Sequence, residues 1–331
     1  MADSLLSFGE QALHYFRRPH DSIPREPLRG PAAWRGAELA RRDDWIVRLE
    51  PGQIDELERA RAGARAEGLT LETLTREAFP LPALATAVAD WRRELRDGRG
   101  FLLLRGLPVR DRGEQEASLV YWGLGLHLGR PGAQNPQGEL LGHVTDYGEA
   151  ARNPNVRRYR TAGDIAYHCD LADVVGLLCL QTPSRGGASR IASSVSVYNQ
   201  LLTRRPDLVD RLYEPFLLDV RDEQKGGGPR HIPVPPCRHA EGRLRTFFHS
   251  DYFRSVTRHP DVPPFSDDEQ TLLDLYDEIA QSPELRLDMQ FEVGDVQLLS
   301  NHFVVHARTA YEDTPGEPRH LLRLWLSLHD D

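Results

Sequence analysis

Two short stretches of this sequence carry residues that could jointly hold a metal ion. His168-Cys169-Asp170 sets an imidazole and a carboxylate two residues apart, and on an extended strand residues i and i+2 project from the same face. A pair of such ligands needs a third, and the best later candidate is His306. Two histidines and one carboxylate form the facial triad of non-haem iron(II) oxygenases, which leaves coordination positions open for a bidentate co-substrate and O2. A second triplet, His249-Ser250-Asp251, has the same form. Both separations from His306 are sterically allowed in a folded chain, so spacing does not choose between them.

Local context favours the first triplet. His168 is followed by a strand-forming run, Val174 to Leu180, and then by Thr182-Pro183-Ser184-Arg185-Gly186-Gly187-Ala188-Ser189. A strand, a tight glycine turn and a returning strand would bring Ser189 back beside the metal. Tyr252-Phe253-Arg254 follows His249 with no such turn, which makes His249 a strand histidine near the pocket wall and Tyr252, Phe253 and Arg254 candidates for lining the cavity. Near the C-terminus, Asn301-His302-Phe303-Val304-Val305-His306-Ala307-Arg308 is followed by the polar stretch 312–318 and then Arg319 and Arg323. Two strands joined through that stretch would return Arg319 beside His306. A guanidinium placed there grips a carboxylate through two parallel hydrogen bonds. Asn301 is a candidate second-layer partner for His306. His127, His143, His302, His320 and His329 read as strand, loop or surface residues, and Trp122 and Trp325 as core.

The elements that must position these residues have distinct textures. Residues 1–99 read as mostly helical, with Ile54, Leu57, Ala60 and Ala64 on one stripe and Leu84, Val88, Trp91 and Leu95 on another. Strand-like runs follow at 101–109, 174–180, 244–248, 295–300 and 321–328, with a helix that ends in a glycine-rich turn over 118–131. Ser266-Asp267-Asp268-Glu269 is a capping box that opens a helix running to about Ala280. Short strands without regular strand–helix alternation predict a mixed, mainly β fold, with a double-sheet jelly roll as the natural candidate. The division expected is a helical extension over 1–99 packed on a core over 100–331, with a loop and helical insertion at about 195–285. The stretch 221–243, with three consecutive glycines and four prolines, reads as a surface loop and a candidate lid.

Composition narrows the partners. A net charge of −9 over 331 residues argues against a nucleic-acid binder. No apolar stretch is long enough to cross a bilayer. Three cysteines without metal-finger spacing fit a reducing compartment, and with no signal segment read at the N-terminus a cytoplasmic location is expected.

Taken in order, GFLLLRGLPV (100–109), LHLGRPGAQN (126–135), YHCD (167–170), SRGGASR (184–190), NHFVVHAR (301–308) and RHLLRLWL (319–326) resemble the TauD/TfdA-like family of iron(II)/2-oxoglutarate dioxygenases. The resemblance implies a double-stranded β-helix with helical additions, Fe(II) with 2-oxoglutarate and O2 as co-substrates, and a small-molecule substrate. It implies His168, Asp170 and His306 as iron ligands, with Ser189 and Arg319 holding 2-oxoglutarate. Arg323 matches a position that takes an anionic group of the substrate in some members and assists the co-substrate in others. Gln134 and Asn135 fall in a loop that lines the pocket in similar proteins, and members are often homo-oligomers. The carboxylate at 170 points to hydroxylation or desaturation, because related halogenases leave that position without one. A second arginine near the site favours an amino acid or another small carboxylate. Beside this stand an oxygenase that replaces 2-oxoglutarate by another route to O2 activation, a non-catalytic small-acid or metal sensor, and a zinc hydrolase on the same triad.

Overall fold

The computed structural model describes residues 5–110, 112–149, 158–221 and 228–328; His329 lies outside them. Its helices are α1 (Phe8–Phe16), α2 (Gly36–Leu39), α3 (Pro51–Ala66), α4 (Ala85–Asp97), α5 (Glu114–Leu128), α6 (Ser194–Arg204), α7 (Ser250–Ser255) and α8 (Asp267–Gln281). The larger sheet contains β1 (Ile46–Arg48), β2 (Phe101–Arg105), β3 (Arg130–Pro131), β4 (Leu141–Val144), β6 (Val174–Gln181), β14 (Val296–Ser300) and β17 (His320–Ser327). Its order is β1-β2-β14-β6-β17-β3, with β4 also pairing β17. The smaller sheet runs β13 (Arg286–Met289), β8 (Ser189–Ser193), β15 (Val304–Arg308), β5 (Ile165–His168). Three two-stranded pieces complete the chain: β7 (Arg185–Gly186) with β16 (Tyr311–Glu312), β9 (Phe216–Asp219) with β10 (His231–Val234), and β11 (Cys237–Ala240) with β12 (Arg243–Thr246).

The molecule is a layered sandwich of the jelly-roll type. Helices α4 and α5 pack on the outer face of the larger sheet, with α3 against α5, and α6 and α8 cover the smaller sheet. Because both faces are buried, β17 reads as a nearly continuous apolar run. Its alternation still sorts the residues. Leu322, Leu324 and Leu326 enter the core under the helices, whereas Leu321, Arg323 and Trp325 face the interior between the sheets. Helix α5 lies so close to this strand that a Cβ on Gly125 would come within 2.5 Å of the Leu324 side chain.

Both apolar stripes of the first hundred residues are used as the periodicity predicts, with Leu57, Ala60, Ala64, Leu84, Val88, Trp91 and Leu95 all buried. The same hundred residues also supply β1, which extends the larger sheet by pairing in parallel with β2. Between β8 and β13, the expected loop and helical insertion contains two hairpins as well as α6, α7 and α8. Residues 222–227 lie outside the described residues, but 231–234 and 237–240 form strands where the composition predicts a loop. Pro233 sits opposite Leu217 in a two-stranded pair whose free edge needs no donor, so proline is tolerated there. Val234 and Cys237 are buried, which anchors the stretch. None of the described residues of 221–243 lines the cavity discussed next.

Candidate active site

His168 and His306 face each other across the β5–β15 ladder as a registered antiparallel pair, with ring centroids 4.0 Å apart. Asp170 lies two residues past His168, on the same side, where the chain leaves β5. Its backbone N–H donates to Asn301 Oδ1 at 2.9 Å, and the Asn301 Nδ2 group donates to the Ala172 carbonyl at 2.8 Å. Asn301 therefore fixes the carboxylate end of the His168–Asp170 pair rather than bonding His306 as expected. His168, Asp170 and His306 bring one ligand atom each within 4.8 Å of one another.

The protonation states suit a metal. The His168 Nδ1 lies 2.9 Å from its own strand's Ala166 carbonyl. With the proton on that nitrogen, Nε2 is left as a lone pair. Burial, with His168 alongside, pushes the His306 imidazole down to about 3. Asp170 is held below its ordinary value: burial works against ionisation, but Arg323, His306 and His168 outweigh it. Neutral imidazoles and an ionised carboxylate are the forms that ligate a divalent cation.

Two cavity regions meet at this triad. One is lined by Ser189, Phe291, Arg308, Arg319, Leu321 and Arg323. The other is lined by Phe8, Arg158, Tyr159, His249, Tyr252, Arg323 and Trp325. Arg319 arrives from the strand opposite β15, across the sandwich, rather than as its hairpin neighbour. The turn beside it needs glycine, and a Cβ on Gly187 would come within 3.2 Å of Arg319 Nε. Gly186 has φ 75°, and a Cβ there would meet the Ala310 carbonyl oxygen at 2.2 Å. Ser189 stands opposite Arg308 in the β8–β15 register, and its hydroxyl donates to Gln297 Oε1 at 3.0 Å.

Arg323 is clamped. Its Nε donates to Gln134 Oε1 at 2.6 Å, and Gln134 Nε2 returns a bond to the Arg323 carbonyl at 2.6 Å. The guanidinium carbon lies 4.5 Å from the Tyr159 ring centroid and 5.0 Å from that of Trp325. Trp325, expected as plain core, thus also forms cavity wall. Gln134 contributes by holding this arginine. Asn135 does not line the cavity: its Oδ1 accepts from the Gln137 and Glu139 backbone N–H groups and so braces a turn. Arg254 is a second departure. Its guanidinium is engaged by Asp274 at 3.0 Å and Asp277 at 2.9 Å, outside the cavity lining, and Phe253 is core. His249 does reach the wall, stacked on Tyr252 with centroids 3.8 Å apart, but Asp251 faces Arg158 at 3.5 Å. The second triplet therefore does not assemble with His306.

One contributor went unassigned in the sequence reading. Arg308 donates from Nη2 to the Thr161 and Gly163 carbonyls at 2.6 and 2.5 Å, and burial with nearby Arg319 brings it down to about 10. Its position two residues beyond His306, hence on the same strand face, was the available signal. Arg308 Nη1, Arg319 Nη1, Arg323 Nη2 and Asp170 Oδ2 are buried without a hydrogen-bond partner among the described residues. Native interiors rarely leave such groups unsatisfied. Unsatisfied donors on three buried arginines around a His2Asp set fit an iron ion with a bound dicarboxylate.

The chain is similar to proteins of known fold and family. FR-33289 synthase of Streptomyces rubellomurinus is 32% identical over 93% of this chain and 92% of its own length. A solved asparagine oxygenase in complex with Fe(II), 2S,3S-3-hydroxyasparagine and succinate superposes with a TM-score of 0.68, at 18% identity over 86% of this chain and 93% of that one. The non-haem iron oxygenase OrfP, solved with Fe, succinate and (3S)-hydroxy-L-Arg, gives a TM-score of 0.62 at 15% identity over 86% and 94%. Residues 66–325 match the family described as taurine catabolism dioxygenase TauD, TfdA family. With that match over most of its length, the chain belongs to the TauD/TfdA family and is an Fe(II)- and 2-oxoglutarate-dependent dioxygenase.

Proposed function

We propose that this enzyme hydroxylates, or desaturates, a small molecule that carries a carboxylate, an amino acid or another small acid, with His168, Asp170 and His306 holding the iron. Arg319, with Ser189 beside it, grips the distal carboxylate of 2-oxoglutarate, and Arg323 receives the anionic group of the primary substrate. The observation that carries this reading is the set of unsatisfied, buried N–H donors on Arg308, Arg319 and Arg323 around the triad. Three cations in a low-dielectric cavity repel one another and call for anions. A substrate without an anionic group would leave Arg323 Nη2 unpaired, at about 1–3 kcal/mol. The amino-acid products named for the solved asparagine oxygenase and OrfP support the substrate class.

Bound iron supplies the O2 activation that couples conversion of 2-oxoglutarate to succinate and CO2 with oxidation of the substrate. The protein's part is positioning. The fork of Arg319 fixes the far end of the co-substrate, so that its keto-acid end is presented to the triad. A ligand carboxylate near Ser189 competes with Gln297 for the hydroxyl proton. Gln134 and Asp170 lock the orientation of Arg323, so an anion bound at Nη2 is held at a fixed offset from the ligand set. Phe8, Tyr252 and Trp325 exclude water from the substrate side.

The test is succinate formation from 2-oxoglutarate by anaerobically iron-loaded protein when O2 is admitted, with a panel of amino acids and small acids. Turnover lost in His168→Ala but retained in His249→Ala, and stimulated by a member of the panel, is the expected result. Stimulation only by compounds without a carboxylate would overturn the substrate class. Absence of turnover together with absence of 2-oxoglutarate binding by calorimetry would favour a sensor.

A further inference from the structure

On the back of β17, which carries Arg323 and follows directly on Arg319, three more potential ligands converge away from the cavity. His143 on β4 pairs in register with Leu322 on β17, which places His320 diagonally across from it on the same outward face. The two rings stack with centroids 5.2 Å apart, and His143 Nδ1 lies 2.9 Å from His320 Nε2. Glu114, the first residue of α5, closes the group. Its carboxylate oxygens lie 3.8 Å from His143 Nδ1 and 3.9 Å from His320 Nδ1. One donor atom from each of the three falls within 4.8 Å of the others.

We propose that Glu114, His143 and His320 form a second divalent-metal site, distinct from the His168–Asp170–His306 triad, that takes a late first-row cation such as Zn2+. Ligands at about 2.0–2.2 Å from a zinc ion stand about 3–4 Å apart from one another; with Nε2 as the His320 ligand, His143 Nδ1 lies 2.9 Å from it and 3.8 Å from a Glu114 oxygen, and the three ligand atoms need only a small contraction to close on one ion. Imidazole with carboxylate is a donor set for zinc, nickel or copper rather than for magnesium or calcium. Two ring nitrogens this close cannot both carry protons, so one accepts from the other, and an ion binding here would displace that shared proton.

The site is half-open, with side-chain exposures of 34% for His143, 22% for His320 and 53% for Glu114, so an ion has a route in and keeps positions for water. Its ligands come from three elements: the first turn of α5, β4, and the first residue of β17. An ion here ties the head of the helix to the sheet directly behind Arg319. Its role would be that of a structural clip on the strand presenting the co-substrate arginine, with no bond made or broken.

Calorimetric titration of Zn2+ into the His168→Ala/Asp170→Ala variant isolates this site, because the primary triad is then disabled. One bound equivalent is expected, and it is expected to disappear when His143→Ala and His320→Ala are added, with circular dichroism confirming that the fold persists. No binding in the first variant, or undiminished binding in the second, overturns the proposal. Should the fourfold variant fail to fold, crystals of the wild-type enzyme loaded anaerobically with Fe(II) and 2-oxoglutarate can be soaked in Zn2+. An anomalous peak at the zinc edge between Glu114, His143 and His320 supports the site, and its absence there at saturating zinc overturns it.

Discussion

Arg323 Nη1 lies 3.3 Å from Asp170 Oδ1, both side chains being more than nine-tenths buried. One guanidinium therefore touches the carboxylate of the ligand set and also faces the substrate side of the cavity. Arg323→Lys keeps the charge but loses the planar fork that bridges the two. Losing one hydrogen bond to a charged group costs about 1.5–3 kcal/mol, so the KM for the anionic substrate should rise by about 10–100-fold. The KM for 2-oxoglutarate should hardly move. Steady-state kinetics with each varied in turn decides this; an equal rise in both would reassign Arg323 to the co-substrate.

Arg319→Leu should separate stability from binding. Arg319 is buried, its Nη1 is unsatisfied among the described residues, and burial lowers its basicity. Removing a cation beside Arg308 relieves repulsion in the ligand-free protein, so the melting temperature should hold or rise. Calorimetric affinity of the iron-loaded protein for 2-oxoglutarate should fall by about 100-fold, the equivalent of about 2.7 kcal/mol. A drop in melting temperature with unchanged affinity would make Arg319 a structural residue.

Asn301→Ala removes both bonds that hold the backbone at Asp170 and Ala172, at a site with no solvent exposure. Leaving those groups unpaired should cost about 1–3 kcal/mol in urea denaturation. Loss of such supporting contacts typically weakens a metal site by about 10–100-fold, so iron affinity should fall with stability. Unaltered iron affinity would show that the position of Asp170 is fixed by other contacts.

Asp173 accepts from His14 Nε2 and His302 Nε2, each at 2.8 Å, and from the Leu328 N–H, also at 2.8 Å. Burial opposes ionisation, yet the two histidine contacts hold the carboxyl well below its usual range. A carboxyl depressed in the folded state adds stability that is fully present above its unfolded value of about 3.9 and is lost as pH falls towards the folded one. Asp173→Asn should therefore destabilise by about 2–3 kcal/mol at pH 7. The gap to wild type should hold down to about pH 4 and begin to narrow only below it, as denaturation is repeated at successively lower pH. A gap independent of pH would sink the electrostatic account.

Phe8→Ala opens the substrate wall without touching the ligand set. Phe8 stacks with Trp325 at a centroid distance of 6.3 Å, and both line the cavity. Succinate formed per oxidised product should rise above one, as water enters and co-substrate consumption uncouples from substrate oxidation. A ratio that stays at one would place Phe8 outside the working cavity.

Much of this was legible in the sequence because the chemistry follows strand alternation. The His168–Asp170 spacing, the glycine turn before Ser189, and Arg319 and Arg323 four residues apart each specify one face of one element. What escaped depended on contacts between distant segments. Arg254 looked like a cavity residue until α8 supplied Asp274 and Asp277. Asn301 could be placed near the site, but only the packed chain shows it bonding the Asp170 stretch instead of His306. The strands at 231–234 and 237–240 were hidden because glycine and proline counts describe local freedom, while pairing with β9 and β12 and burial of Val234 and Cys237 decide the outcome. His143 and His320 read as ordinary histidines for the same reason: their proximity is a property of the β4–β17 register.

Helix α1 lies before residue 66, where the family match begins, yet it sends Phe8 into the cavity and His14 to the carboxylate that also caps the end of the last strand. One part of the cavity wall is thus supplied from outside the stretch that the family match covers. Grafting a different first helix onto the shared body is a route to changing which molecule is admitted while the oxidising machinery stays as it is.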